Sequence, residues 1–122
     1  MEGQTVECSE PLVSVVIPTK NRPTLLCRAV RSALSQTIEA VEVIVVVDGP
    51  SEPTIRTLRG INDPRLRVLP LPEWVGNCEC RNIGVNAARS PWIAFLDDDD
   101  EWFPQKLEIQ LRTARQSSHR NP

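Results

Sequence analysis

The chain has 122 residues, 40% of them hydrophobic and 25% charged. At roughly 100–150 residues per domain this is one domain or part of one, and the apolar fraction excludes wholesale disorder. Fourteen basic residues against 16 acidic ones leave a formal charge of −2, which excludes a global electrostatic pull on nucleic acid or anionic lipid.

The first residues, MEGQTVECSE, carry acid where a signal peptide carries base, and they lack an apolar core. Residues 1–11 are predicted to be a flexible lead-in. No apolar run approaches the ~20 residues of a membrane span. Cys8, Cys27, Cys78 and Cys80 fit neither a disulfide framework nor a zinc spacing, since Cys78-Glu79-Cys80 is C-x-C. Free thiols and a cytoplasmic location are the expectation.

Val13 to Ile17 is mostly β-branched and is predicted to be a strand stopped by Pro18. Next, Leu25, Leu26, Ala29, Val30, Ala33 and Leu34 form one helix face, with Pro23 in the first turn and Asn21 or Thr24 as the cap. A second strand spans Val41 to Val47 and stops at Asp48-Gly49-Pro50. Its near-continuous β-branched run predicts burial on both faces, as in a parallel sheet covered by helices. A short helix is expected from Pro53 to Arg59, ended by Gly60, and a third strand from Leu66 to Leu69, closed by Pro70. A helix follows over Asn77 to Arg89, with Cys80, Ile83, Ala87 and Ala88 inward and Gly84 allowing close packing. The last strand is Trp92 to Leu96. The last helix is Pro104 to Gln116, burying Leu107, Ile109, Leu111 and Ala114, with a frayed tail over 117–122. This alternation predicts an α/β fold with a parallel sheet wound through right-handed crossovers.

Ligands of such sheets bind beyond the carboxyl ends of the strands. The sharpest signal there is Asp97-Asp98-Asp99-Asp100-Glu101. An acidic run is usually a solvated face. This one directly follows a buried strand and precedes Trp102-Phe103-Pro104, so it is pinned. A pinned cluster of hard oxygen ligands suits Mg2+ or Mn2+, which take their remaining ligands from water and substrate phosphates. Asp48 after the second strand is either an Asp-Gly turn or an acceptor for a ribose or a base edge. Lys20, Arg22 and Arg81 lie at the same sheet end, as scattered surface base or as partners of a diphosphate.

Other chemistries lack their motifs. No G-x-G-x-x-G follows a strand, and neither a P-loop nor G-x-S-x-G is present. His119, the only histidine, is near the chain end, which removes a histidine triad or zinc site. Trp74, Trp92 and Trp102 do not alternate with basic residues, which argues against nucleic-acid stacking.

Together the segments from Val13 to Arg22, Val45 to Gly49, Arg81 to Gly84, Trp92 to Trp102 and Pro104 to Glu108 resemble, in order and spacing, the family 2 glycosyltransferases. The resemblance runs from about Val13 to about Gln110. It implies a GT-A (Rossmann-like) fold and transfer of a sugar from a nucleotide diphosphate, UDP or dTDP, to an acceptor with inversion. By the same resemblance, Asp48 meets the nucleobase, and Pro18, Thr19, Lys20 and Asn21 lie along base and ribose. Arg81 helps hold the nucleotide. Asp97-Asp98-Asp99 is the D-x-D motif, with Asp98 near the ribose and Asp99 on Mn2+ or Mg2+.

Three departures matter. Where the family often has Asp-Asp-Gly-Ser, this chain has Val47-Asp48-Gly49-Pro50, and Lys20 stands where many members place an aromatic residue. The family's acceptor-binding part and its catalytic base extend beyond the matched region, and no residue here matches that base. The expectation is therefore a metal-dependent donor-binding half over 12–116, completed by a missing C-terminal half or by self-association. Two alternatives stay open: a non-catalytic nucleotide- or partner-binding remnant, and a structural α/β domain with an acidic rim. Sugar and acceptor are not legible.

Overall fold

The computed structural model describes residues 11–120, with side chains described through Ala114. The lead-in over 1–10, with Cys8, and the last two residues of the tail lie outside the described residues. Strands and helices alternate as β1 (Val13–Thr19), α1 (Pro23–Leu34), β2 (Val41–Val47), α2 (Glu52–Arg59), β3 (Leu66–Pro70), α3 (Asn77–Ala87), β4 (Trp92–Phe95) and α4 (Lys106–Arg120). The strands form one parallel sheet in the order β3-β2-β1-β4.

The chain thus steps outward from β1 to β2 to β3, then returns to the far side of β1. Right-handed crossovers put the helices of the outward steps on one face and the helix of the return step on the other. The core divides accordingly. On one face, Leu26, Ala29, Val30 and Ala33 of α1, Leu58 of α2, and Leu107 and Leu111 of α4 cover the odd-numbered residues of β1 and β2. On the other, Cys80 of α3 packs with Val16, Ile44 and Val46. Every residue of β1 and β2 is buried, as expected of a central pair.

Gly84 is needed where α3 crosses β1, because a Cβ there would lie 2.4 Å from Val16 Cγ1. Leu25 is 36% exposed and Ile109 46% exposed, so two residues assigned to buried stripes are not in them. Ile109 falls ~200° around the helix from both Leu107 and Leu111, which are the buried pair. No side chain caps α1: its N-cap is Arg22, while Asn21 takes a left-handed φ of 55° in the preceding turn. α4 continues to Arg120, four residues past the expected end at Gln116 and into the segment predicted to fray, because neither Gly nor Pro interrupts it.

Pro18 does not stop β1, which continues to Thr19 opposite Val47. The reason is the side its nitrogen faces. Val16 O accepts the Leu96 N–H, and alternate residues of a parallel strand point to the same neighbour, so Pro18 also faces β4. The β1–β4 pairing ends at Val16 and Phe95, so the missing N–H costs no ladder bond.

A carboxylate is buried at the opposite, amino end of the sheet. Glu42 of β2 is 5% exposed. It accepts the Ser14 hydroxyl at 2.6 Å, the Arg89 N–H at 2.7 Å and Arg67 Nη1 at 3.0 Å. Burial pushes its pKa up, but the bonds from Ser14, the Arg89 backbone and Arg67 outweigh that and hold it below the ordinary 4.5. Ser90 joins through the Ser14 hydroxyl, and Arg67 also reaches the Ala87 carbonyl at 2.8 Å, so the cluster ties β1, β2 and β3 to the end of α3.

Two outcomes follow. Gly84→Ala, which forces a methyl into Val16, is expected to cost about 1–3 kcal/mol in urea unfolding. Arg67→Ala, which leaves Glu42 short of its cationic donor, is expected to cost about 1.5–3 kcal/mol at neutral pH. Because the folded-state pKa of Glu42 is depressed, that contribution is present above pH 4.5 and is lost as pH falls through the folded value. The difference between native and Arg67→Ala unfolding should therefore close below that pH.

Candidate functional site

β4 lies on one side of β1 and β2 on the other, so the helices after β1 and β3 leave the sheet from opposite faces. The crevice opened by that reversal is where open α/β sheets take ligands. Here it holds a cavity of about 460 Å³. Pro18, Thr19 and Lys20 enter from the end of β1, and Asp48 from the end of β2. Gly76 and Asn77 come from the start of α3, and Asp97, Asp98 and Asp99 from the end of β4. Arg22 and Cys80 complete the wall. Asn21 and Arg81 are not among the residues that line it.

The four consecutive aspartates do not act alike. Asp97 O accepts the Asp100 N–H at 3.1 Å, closing a turn. That turn presses Asp98 inward, to 8% exposure. Its carboxylate accepts the Thr19 hydroxyl at 2.8 Å and Arg22 Nη1 at 3.4 Å. Asp97, Asp99 and Asp100 stay exposed, and each offers a carboxylate oxygen within 4.8 Å of the others. Three hard oxygens in that spread, on a turn anchored through Asp98, are a fitting donor set for Mg2+ or Mn2+. Arg22 also lies 3.3 Å from Asp99, and Arg81 Nη2 lies 3.5 Å from Asp97. Arg81 Nε is buried with no partner among the described residues.

At the β2 wall, Asp48 is 7% exposed. Its two oxygens accept the N–H groups of Val75 at 2.7 Å and Gly76 at 3.2 Å. Asp48 therefore clamps the loop between β3 and α3. Cys80, one turn into α3, is buried beside it. Desolvation first, and the Asp48 carboxylate second, push that thiol up to about 11. Gly49 has φ 82°, and a Cβ there would lie 1.5 Å from Trp74 Cδ1, so glycine is required both for the turn and for the indole packed on it. Lys20 Nζ sits 4.2 Å from the centre of the Trp74 ring.

The expected residues at the ends of β1, β2 and β4 are thus gathered around one cavity. The sequence marks Asp100 only as a member of the acidic run, without the ligand role given to Asp99, and does not assign the Trp74 loop to the site. The available signal for the loop was an aromatic residue two positions before Gly76-Asn77 at the carboxyl end of a strand.

The parallel four-stranded sheet with alternating helices has the GT-A, Rossmann-like architecture. Solved structures agree. The S. aureus TarS fragment 1–349 in complex with UDP-GlcNAc superposes with a TM-score of 0.76 at 25% identity, covering 83% of this chain and 30% of that one. The mannosyltransferase PcManGT from Pyrobaculum calidifontis, in complex with GDP-Man and Mn2+, shares the fold with a TM-score of 0.68 at 23% identity, covering 77% of this chain and 29% of that one. In sequence, the succinoglycan biosynthesis protein ExoO of Rhizobium meliloti is 38% identical over 104 residues, which is 85% of this chain and 30% of ExoO. The profile of glycosyl transferase family 2 matches residues 14–120. The chain belongs to that family, and it spans about a third or less of the length of each of these three relatives.

The thiols give a direct check on the site's geometry. Only the thiolate is nucleophilic, and Cys78 is exposed where Cys80 is buried and shifted to about 11. Iodoacetamide at pH 8 followed by peptide mass spectrometry should find Cys78 alkylated well ahead of Cys80. Equal labelling would mean that α3 does not seat Cys80 against Asp48.

Proposed function

We propose that residues 12–116 form the donor-binding half of a metal-dependent, inverting glycosyltransferase, which holds a nucleotide-diphosphate sugar of the UDP or dTDP type for transfer to an acceptor hydroxyl. The observation that carries this reading is the charge around the cavity. Lys20 and Arg22 face Asp48, Asp97, Asp98 and Asp99, two cations against four carboxylates. A diphosphate brought to such a wall is repelled unless a divalent cation comes with it. The oxygen cluster of Asp97, Asp99 and Asp100 is the place for that cation.

Asp99 is the principal metal ligand in this reading, as the D-x-D pattern implies, and Asp97 and Asp100 are near enough to share the ion. Bound Mn2+ or Mg2+ would supply Lewis-acid neutralisation of the leaving diphosphate. Asp98, fixed by Thr19, offers its remaining acceptor capacity to the ribose. Arg22, in the cavity wall, is the charged donor for phosphate, and Arg81, outside that wall and paired with Asp97, is given its nucleotide role by the family pattern alone. Asn77, at the amino end of α3, brings backbone N–H groups and the positive end of a helix dipole to the same anion. Pro18, Thr19 and Asn21 pass along base and ribose. Asp48 keeps free lone pairs for the nucleobase while it holds the loop N–H groups. TarS with UDP-GlcNAc and PcManGT with GDP-Man and Mn2+ support the ligand class and the metal.

Inverting transfer needs a general base at the acceptor hydroxyl. We assign that base, and the acceptor site, to a C-terminal remainder of the catalytic unit, since the chain spans 30% of ExoO. Free Cys27, Cys78 and Cys80 support a reducing, cytoplasmic setting. No helix among the described residues is long and apolar enough to cross a membrane.

Calorimetric titration with UDP, with and without Mn2+, tests the donor site. The expected result is binding that requires Mn2+ and falls at least tenfold in Asp99→Ala with unfolding in urea unchanged. Equal affinity without metal would overturn the metal's role, and no binding by the folded protein would overturn the donor-site reading. Sugar transfer by this chain alone would overturn the assignment of the base elsewhere and exclude the non-catalytic alternative.

A further inference from the structure

Trp74 is 60% exposed, the most exposed of the large hydrophobic side chains among the described residues. A lone exposed aromatic needs no explanation. This one lies just outside the cavity lining, beside Lys20 and two residues before Gly76, which both belong to that lining. Its indole lies on Gly49, which has no side chain to push it off. The next two residues, Val75 and Gly76, give their N–H groups to the buried carboxylate of Asp48. Lys20, whose ammonium covers the ring at 4.2 Å, is itself part of the cavity wall. A largely exposed apolar ring therefore lies beside a polar cleft, packed on Gly49 and covered by the Lys20 ammonium.

Its position also sets a direction. The oxygen cluster sits at the end of β4 and the Trp74 loop is tied to the end of β2, with β1 between them. Two strand spacings, ~10 Å, separate those walls. The metal-binding rim and the aromatic wall are thus at opposite ends of the cleft, with room for a ribose between.

We propose that Trp74 is the surface on which the nucleobase of the bound nucleoside diphosphate stacks, and that Lys20 is the movable cover of that surface. This rests on the donor-site reading above and adds to it a residue outside the matched motifs. Every base has a π face, and base–aromatic stacking outweighs an exposed ammonium–indole contact. The base therefore displaces Lys20 from the ring and frees the ammonium for the anionic part of the same ligand. Asp48, by clamping Val75 and Gly76, acts as a positioning residue for Trp74.

The test is calorimetry on the full chain with Mn2+ present, using UDP and inorganic pyrophosphate as separate probes. Trp74→Ala is expected to lose roughly 5- to 150-fold in UDP affinity, the worth of one stack, with pyrophosphate affinity within about twofold of native. Trp74→Phe, which keeps an aromatic face, is expected to recover most of the UDP affinity. Unchanged UDP affinity in Trp74→Ala overturns the proposal. So does an equal loss for UDP and pyrophosphate, which would mean that the indole only props up the loop. Native protein that binds pyrophosphate but gains nothing from the uridine also overturns it. Native protein that binds neither probe overturns the donor-site reading itself, and this proposal with it.

Discussion

The ladder between β1 and β2 runs for seven residue pairs, from Val13 and Val41 to Thr19 and Val47, with no water on either face. A sheet buried on both sides must be covered by helices on both sides, and the chain reaches both only by reversing direction across β1. The reversal opens a crevice at the carboxyl ends, and the polar residues that terminate β1, β2 and β4 line it. The site is a consequence of how the strands are buried. Glu42 shows what polarity inside this sheet requires, since it is accommodated only with donors from Ser14, Arg67 and the Arg89 backbone.

Within the crevice, one chemical type serves several ends through geometry alone. The turn from Asp97 to Asp100 sends Asp98 into the wall, where Thr19 and Arg22 hold it, and leaves its neighbours exposed as oxygen donors. Asp98 is thus the anchor that turns an acidic run into a shaped site. Asp48 plays a comparable part opposite, anchoring the loop that carries Trp74. Each wall of the cleft has a nearly buried carboxylate at its root, which fixes the exposed groups beyond it.

Much of this was legible in the sequence. The β-branched runs located β1 and β2, and the punctuation by Pro, Gly and Asp located their ends within two residues. The alternation of strand and helix predicted a parallel α/β sheet, and the acidic run located the exposed carboxylate cluster after β4, although that edge strand is only partly buried and not the buried strand expected. These features are local: propensity, spacing and the polarity of a strand terminus follow from neighbours in the chain.

The rest depended on contacts between residues far apart in sequence. That Pro18 remains in its strand depends on where β4 stops beside it, 77 or more positions along the chain. Which of four identical aspartates turns inward depends on Thr19 and Arg22. The position of Trp74 depends on Asp48, which captures the N–H groups of Val75 and Gly76, and on Gly49, which makes room for the ring. By itself the sequence determined the order of elements, the burial of the central strands and the chemistry at their ends, because each follows from local pattern. Tertiary structure decided which carboxylates anchor and which are presented, and which loop closes the cleft, because a carboxylate's role is set by the donors that reach it and those donors come from other strands.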